Sequence, residues 1–208
     1  MSATNRGRKR EPLDAYYTSD ALAQALVDTM EIEPHHVVLD PCVGGGAFAR
    51  AMRPYTPRVY GIDLHPRAAA LQDRSLEGVA CQNFLAEYPV TWERPDLIMS
   101  NPPFFEAEEF VHHALKIVKP NGRVAFLLRV GFLEGIGRYY SLWQRTPPST
   151  ITVLVERPSF TSDKKTDASA YMLAVWTQGA LAITTELRWL SWRAEKKTGK
   201  TLLEVLAD

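Results

Sequence analysis

The stretch that decides the fold is VVLDPCVGGGAFARAM, residues 37–52. Its apolar start, residues 37–40, has the length of a strand buried on both faces, and it leads directly into a glycine-rich loop. Residues 47–52 are predicted to form the helix that follows. Glycines at the end of a strand permit a tight turn, and they let a ligand approach the main chain without a Cβ in the way. This order of elements predicts a ligand site at the carboxyl edge of an α/β sheet.

The alternation of apolar runs and helical patterns continues along the chain. Strands are predicted at residues 58–63, 79–83, 97–99 and 124–128, and helices after Ser19, at residues 66–76 and at residues 106–118. Parallel strands need crossover connections, so the pattern predicts a parallel sheet with helices on both faces. Residues 151–155 and 171–176 have no helical pattern between them, which predicts an antiparallel hairpin at the sheet edge. The expected fold is α/β, with a mostly parallel seven-stranded sheet.

The bulk composition limits the classes of protein to consider. With 208 residues, one domain over residues 13–208 is expected, preceded by a disordered basic arm at residues 1–12 and without a separate target-recognition domain. Lysine plus arginine number 24, as do aspartate plus glutamate, so nucleic-acid binding would need a local basic patch. The two cysteines have no paired spacing, and no run resembles a signal peptide or a membrane span. We therefore expect a cytoplasmic protein with no membrane partner.

The glycine loop excludes two common phosphate-binding motifs. A dinucleotide site would require a third glycine where Ala49 stands, and a phosphate loop would require a lysine and a hydroxyl after the glycines. What remains is Asp40-x-x-x-Gly44-x-Gly46. A second acid, Asp63, ends the next predicted strand, where a carboxylate commonly accepts hydrogen bonds from ribose hydroxyls. Loop and acid together predict a cofactor that contains adenosine; the alternative is a structural turn and a surface acid.

A second motif, Asn101-Pro102-Pro103-Phe104, follows the fourth predicted strand. The two prolines fix φ and remove two N–H donors, so the backbone after Asn101 is stiff. The Asn101 side-chain oxygen and the Pro102 carbonyl form an acceptor pair that suits an NH2 group with two hydrogens to donate. Phe104 offers an apolar face for a planar ring. The alternative is a rigid turn with a buried phenylalanine.

Together, Asp40-Pro41-Cys42-x-Gly44-x-Gly46 and the later Asn-Pro-Pro-Phe tetrad resemble amino-methyltransferases of the class I, Rossmann-like fold that binds S-adenosylmethionine (SAM). Among these, the chain most resembles adenine-N6 DNA methyltransferases, including small phage-type enzymes. Residues 14–18 resemble the motif that precedes the glycine loop in the gamma arrangement of that family. Residues 81–85 resemble its segment after the third strand, with Asn83 where aspartate is usual. The motifs cover residues 14–130, and the fold resemblance extends to about residue 178.

The resemblance implies SAM as the cofactor and a reaction that needs no metal. The implied cofactor-binding residues are Tyr17, Thr18, Asp40, Pro41, Gly44, Gly46, Asp63, Asn83 and Phe84. The implied catalytic residues are Asn101, Pro102, Pro103 and Phe104. In these roles Asn101 and Pro102 accept the hydrogens of the target amine, and Phe104 stacks on the target ring. His112 and His113 have no third ligand at metal spacing, so a metal site is not expected.

The substrate is less well defined than the chemistry. Adenine in DNA is the favoured substrate, and an RNA base is possible. Six basic residues could form one rim that contacts nucleic acid, or they could be a scatter of solvated charges: Arg129, Arg138, Arg145, Arg157, Lys164 and Lys165. A protein glutamine amide is an alternative that the neutral net charge favours, although such enzymes usually end the tetrad with tyrosine. A SAM-fold subunit without catalytic activity is the alternative from another class, and Asn83 fits it.

Overall fold

The computed structural model describes residues 18–66, 68–89, 91–160, 167–180 and 184–193. The predicted basic arm at residues 1–12, Tyr17, and Lys164 and Lys165 of the basic rim lie outside these residues. The strands are β1 Val38–Asp40, β2 Val59–Asp63, β3 Gly78–Cys81, β4 Leu97–Ser100, β5 Arg123–Arg129, β6 Thr150–Leu154, β7 Tyr171–Thr177 and β8 Glu186–Leu190. The main helices are α1 Asp20–Val27, α2 Ala47–Met52 and α3 Ala107–Ile117.

Within the described residues, the strands form one eight-stranded sheet in the order β3-β2-β1-β4-β5-β7-β6-β8. The five strands from β3 to β5 are parallel, and β7 pairs antiparallel with both β5 and β6. The direction of the strand order reverses between β1 and β4. Their carboxyl ends therefore flank the crevice in which open α/β sheets bind ligands. The predicted mostly parallel sheet with an antiparallel pair is confirmed.

An eighth strand extends the predicted seven-stranded sheet. β8 pairs in parallel with β6, from Thr150 opposite Glu186 to Leu154 opposite Leu190, so the antiparallel hairpin does not lie at the edge. Four of the five β8 residues are exposed, and Leu190 is half-buried. A strand that buries so little apolar surface leaves no clear period in its sequence, so the apolar pattern did not predict β8.

The helix predicted at residues 66–76 is wrong. Among the described residues of this range, the helical structure is limited to the 3₁₀ turn Ala69–Gln72. The backbone N–H of Ala70 donates to the carbonyl of Gly44 in the glycine loop, and not to a carbonyl of a preceding helical turn. Asp73 is extended, and its side chain accepts from the N–H of Ser75, a local bond that competes with helix formation.

Helices cover both faces of the sheet, as predicted. α1 begins at the N-cap Ser19, whose hydroxyl accepts from the N–H of Leu22, and its apolar side packs with α2 against one face. α3 buries Phe110, Ala114 and other apolar residues against the opposite face. Because both faces are covered, the three residues of β1 and the four of β4 are all buried. The central strands are thus fixed, and their carboxyl ends can hold a site.

A helical crossover joins β5 to β6. It comprises the 3₁₀ turn Val130–Leu133, one helical turn at Ile136–Arg138 and a π-helical turn at Tyr139–Trp143. Trp143 stacks on Trp176 of β7 at 6.4 Å between ring centroids. Arg138 pairs with Glu108 of α3 at 3.5 Å. The crossover is therefore anchored beside the start of α3, close to the end of the Asn-Pro-Pro-Phe tetrad.

Candidate functional site

The candidate site lies where the carboxyl ends of β1 and β4 separate. β1 ends at Asp40, and Asn101 directly follows β4. A cavity of about 240 Å³ lies between the glycine loop and Asn101. It is lined by Thr18, Asp40, Cys42, Val43, Gly44, Gly45, Ala47, Phe48, Arg50 and Asn101. The structure thus brings the two sequence motifs, which are 55 residues apart from Gly46 to Asn101, to one cavity.

The glycine loop is held by backbone bonds to the neighbouring strand. The N–H of Val43 donates to the carbonyl of Ile62, and the N–H of Gly44 donates to the Asp63 carboxylate at 2.8 Å. Gly46 has a φ of 81°, which disfavours residues with a Cβ. A Cβ at this position would also lie 3.1 Å from the Cβ of Ala70. Glycine is therefore required at position 46 by both backbone conformation and space.

Asp40 is buried beneath this loop. One carboxylate oxygen accepts from the Ser100 hydroxyl at 2.6 Å and from the N–H of Cys42 at 3.2 Å. Burial raises the pKa of Asp40 to about 7, and the negative charge of Asp63 contributes in the same direction. The two hydrogen bonds lower the pKa but do not offset burial. Asp40 therefore changes charge near neutral pH, and a cationic ligand in the cavity would favour its ionised form.

The other predicted cofactor residues occupy different environments. Asp63 accepts from the backbone N–H groups of Gly44 and His65, so it supports the loop from the end of β2. Asn83 is exposed, and its side-chain oxygen accepts from the N–H of Leu85. The Phe84 ring is buried in the core, 5.3 Å from the Phe110 ring between centroids, on the face covered by α3. Pro41 is buried in the turn after β1.

Asn101 is oriented by the start of the first helix. Its side-chain nitrogen donates to the Thr18 hydroxyl at 3.3 Å, so the amide oxygen points to the other side. Pro102 is buried, and the Pro103 carbonyl accepts from the N–H of Glu106 as the chain turns into α3. The tetrad is thus a stiff turn between β4 and α3, with Asn101 at the cavity and Phe104 beyond it.

Phe104 belongs to a cluster of side chains from separate segments: Phe104, Arg129, Asp167 and Tyr171, named here the Phe104 cluster. The Arg129 guanidinium lies 4.7 Å from the Phe104 ring centroid. Its Nε donates to the Tyr171 hydroxyl at 3.3 Å, and this hydroxyl donates to Asp167 at 2.9 Å. Burial raises the pKa of Tyr171 to about 12, so its hydroxyl stays protonated. Burial opposes the charge of Asp167, but the Ser169 N–H, Tyr171 and Arg129 together lower its pKa.

Several of these features had no signal in the sequence. Arg50, Phe48 and Cys42 line the cavity, and Ser100 holds Asp40, although none matched a predicted binding role. Of the predicted basic rim, Arg138 is paired with Glu108, whereas Arg145 and Arg157 are exposed. These contacts join segments far apart in the chain, so spacing along the sequence could not indicate them.

No group of three or more His, Cys, Asp or Glu side chains that could hold a metal ion occurs among the described residues. None of the described helices has the length and apolar character needed to cross a membrane.

Several solved structures with this fold are methyltransferases. The type I restriction enzyme EcoKI M protein superposes with a TM-score of 0.66 at 16% identity, covering 81% of this chain and 45% of its own. The type I restriction-modification methyltransferase subunit from Streptococcus thermophilus gives 0.63 at 17%, covering 79% and 45%. TrmN from Thermus thermophilus gives 0.58 at 22%, covering 80% and 51%. The protein therefore has the class I methyltransferase fold, for which SAM is the expected cofactor.

Sequence comparison adds one curated relative. A release factor glutamine methyltransferase from Cereibacter sphaeroides is 34% identical over 96 residues, which cover 41% of this chain and 34% of that protein. No family model matches the chain. The chain thus spans about a third of this relative and about half or less of the three structures above.

Proposed function

We propose that this protein is a SAM-dependent methyltransferase that methylates an exocyclic amine, with adenine N6 in DNA as the substrate. The observation that carries the proposal is the position of Asn101. It directly follows β4 at the mouth of the cavity, and its nitrogen is directed to Thr18. The side-chain oxygen therefore lies on the opposite side of the amide from Thr18, which is the orientation needed to accept a hydrogen from a target amine.

The tetrad supplies two acceptors for one NH2 group. The Asn101 side-chain oxygen and the Pro102 carbonyl would each accept one amine hydrogen. Two such bonds pull the amine away from planarity, and its lone pair becomes more available as a nucleophile. The rigid turn between β4 and α3 fixes the acceptors before substrate binds, and this positioning supplies much of the acceleration. Phe104 would provide the wall against which the planar target stacks.

The residues around the cavity fit SAM. Asp40 is an acid that can face the ammonium of the methionine moiety, and the glycine loop lets the ligand approach the backbone. Asp63 stands at the end of β2, where a carboxylate can bind ribose hydroxyls. When bound, SAM supplies a methyl group activated by its sulfonium. Thr18, which lines the cavity, would contact the methionine moiety.

DNA is preferred over the other substrates for two reasons. Two structural neighbours are methyltransferase subunits of type I restriction-modification systems, and the tetrad ends in Phe104 rather than tyrosine. Arg129 lies over Phe104, and Arg145 and Arg157 are exposed cations available to phosphates. An adenine in a duplex must first leave the stack, at a cost of a few kcal/mol that these contacts would offset.

A protein glutamine amide is the second candidate substrate. The relative from Cereibacter sphaeroides favours it, and so does a formal net charge of zero. An amide NH2 would fit the same acceptor pair, because it also donates two hydrogens. An RNA base is a third possibility within the same chemistry. The intact glycine loop and tetrad argue against a subunit without catalytic activity.

The test is methylation in a host that lacks adenine methylation of its own. Wild-type protein or its Asn101→Ala variant is expressed, genomic DNA is digested, and N6-methyladenine is measured by mass spectrometry. The expected result is a signal with wild type that disappears with the variant. If DNA stays unmodified while purified protein with labelled SAM labels RNA or a glutamine-containing protein, the DNA assignment is wrong and that substrate replaces it.

A further inference from the structure

We propose that Arg50 binds the carboxylate of the methionine moiety of SAM and thereby makes the cavity selective for an intact amino-acid group. The inference rests on SAM as the cofactor in the proposed function, but it is independent of whether DNA, RNA or protein is methylated. Arg50 was not among the residues that the sequence motifs indicated.

The charged side chains around the cavity form a complementary pair. Of the ten lining residues, the two with ionisable acidic or basic side chains are Asp40 and Arg50, and the others are small, apolar, polar or thiol-bearing. The methionine moiety of SAM is itself a pair of opposite charges, with an ammonium and a carboxylate on the same carbon. The Asp40 carboxylate can pair with the ammonium. A carboxylate in the same cavity needs a cation, and Arg50 is the one that the lining provides.

The position of Arg50 is set by three hydrogen bonds across the glycine loop. Its Nη1 donates to the Gly45 carbonyl at 2.6 Å, and its Nε and Nη2 donate to one Asp20 oxygen at 3.2 and 2.6 Å. The side chain extends close to Gly46, where an added Cβ would lie 3.0 Å from Nη1. The guanidinium is therefore held beside the loop, while one side of it remains exposed to solvent.

This arrangement leaves the guanidinium able to bind a carboxylate. A guanidinium has five N–H groups, and the three bonds leave one N–H on each terminal nitrogen. Two N–H groups on the terminal nitrogens can bind the two oxygens of one carboxylate, a geometry that lysine cannot reproduce. The pair with Asp20 is exposed, so small adjustments that favour the ligand disturb it at low cost.

The experiment compares SAM with decarboxylated SAM, which lacks only the carboxylate. Dissociation constants for both ligands are measured by isothermal titration calorimetry with the wild type, Arg50→Ala and Arg50→Lys. Arg53→Ala is the matched control, because Arg53 follows the same helix and donates to the Pro57 carbonyl outside the cavity lining. Thermal melting of each variant checks that the protein is folded.

We expect the wild type to bind SAM roughly 10-fold or more tightly than decarboxylated SAM, the magnitude of a charge-assisted hydrogen bond. Arg50→Ala should lose this preference, because its affinity for SAM falls while its affinity for decarboxylated SAM does not. Arg50→Lys should recover part of the preference, and Arg53→Ala should keep it. The proposal is overturned if Arg50→Ala lowers the affinity for both ligands equally, or if it leaves the SAM affinity unchanged. Either result would leave the methyltransferase assignment in place. If wild type binds neither ligand, the cofactor assignment fails and the Arg50 proposal fails with it.

Discussion

The two sides of the candidate site are constructed differently. The proposed cofactor side, formed by Asp40, Gly44, Gly46 and Asp63, is held mainly by bonds to backbone groups of the glycine loop and β2. The proposed target side is the Phe104 cluster, in which side chains from three separate segments contact one another. Backbone bonds depend on the path of the chain, whereas contacts between side chains depend on which residues the fold brings together.

This difference predicts how each side responds to substitution. On the cofactor side, changes should alter SAM binding and, at the glycines, folding stability. On the target side, changes should alter turnover and substrate affinity while SAM binding is retained. Asn101 lies between the two sides, because it lines the cavity and starts the tetrad. The following predictions test this division, beginning with the largest effect.

Asn101→Ala should lower methylation about 10²- to 10³-fold, the usual effect of removing one preorganised hydrogen-bonding group from a reaction centre. The SAM dissociation constant should change little, because the proposed role of the Asn101 oxygen is to accept from the target amine and not from SAM. Single-turnover methylation and calorimetry measure the two quantities. Asn101→Asp keeps an acceptor oxygen and should recover part of the rate. If the alanine variant loses SAM binding as strongly as turnover, Asn101 belongs to the cofactor side.

SAM affinity should rise with pH through the pKa of Asp40. The folded-state pKa of about 7 lies above the ordinary value of 3.8, so the protonated form predominates below neutrality and cannot pair with an ammonium. Affinity should increase by at most about tenfold per pH unit below pH 7, because one proton is released. Calorimetry between pH 5.5 and pH 8.5 in steps of about one unit measures this slope, and Asp40→Asn should remove it.

The raised pKa of Asp40 affects the folding stability of the ligand-free protein in the opposite direction, so this stability should fall as pH rises. An acid whose folded pKa is raised contributes stability that is complete below its unfolded pKa and is lost as pH rises through the folded pKa. This contribution should therefore be present near pH 4 and absent above about pH 7. Denaturant unfolding of wild type and Asp40→Asn isolates it, and parallel pH profiles for the two proteins would contradict the assignment.

Arg129→Ala should raise the KM for the methylated substrate by roughly 10-fold, because the guanidinium that covers Phe104 is lost from a partly buried stack. SAM affinity should remain unchanged, and Arg129→Lys should recover only part of the effect, since lysine lacks the planar fork. Arg123→Ala is the matched control. Arg123 lies at the opposite end of β5, where it donates to the Glu31 carbonyl. Equal KM values for the two alanine variants would remove Arg129 from the target side.

A comparison of two glycines with nearly the same φ distinguishes the cost of backbone strain from the cost of steric crowding. Gly46 and Gly179 have φ values of 81° and 79°, so alanine at either should cost about 1 kcal/mol in backbone strain. At Gly46 the new Cβ would crowd Arg50 and Ala70, whereas at Gly179 it would meet no atom of the described residues within 4 Å. Gly46→Ala should therefore lose roughly 1 kcal/mol more in unfolding free energy and bind SAM less tightly. Gly179→Ala should bind SAM as wild type does; equal losses would mean that space at Gly46 is unimportant.

The sequence by itself determined the parallel half of the sheet and the cavity at its carboxyl edge. Apolar runs such as residues 37–40 mark strands covered on both faces, and glycines mark a turn that other residues cannot make, so both signals are local. It also indicated Asn101 and its prolines, because the tetrad is contiguous. The roles assigned to Asn83 and Phe84 rest on the resemblance alone, and the Phe84 ring lies in the core rather than at the cavity.

The tertiary structure decided what no local pattern contains. β8 joined the sheet because β6 offered an edge, and the predicted helix at residues 66–76 gave way to a bond between Ala70 and Gly44. Arg50 became part of the cavity, and Arg129 came to lie over Phe104, through contacts with residues 25 to 42 positions away along the chain. The physical reason is that a motif records the conformation of a continuous stretch of backbone, whereas a side-chain contact exists only after the fold has brought distant segments together.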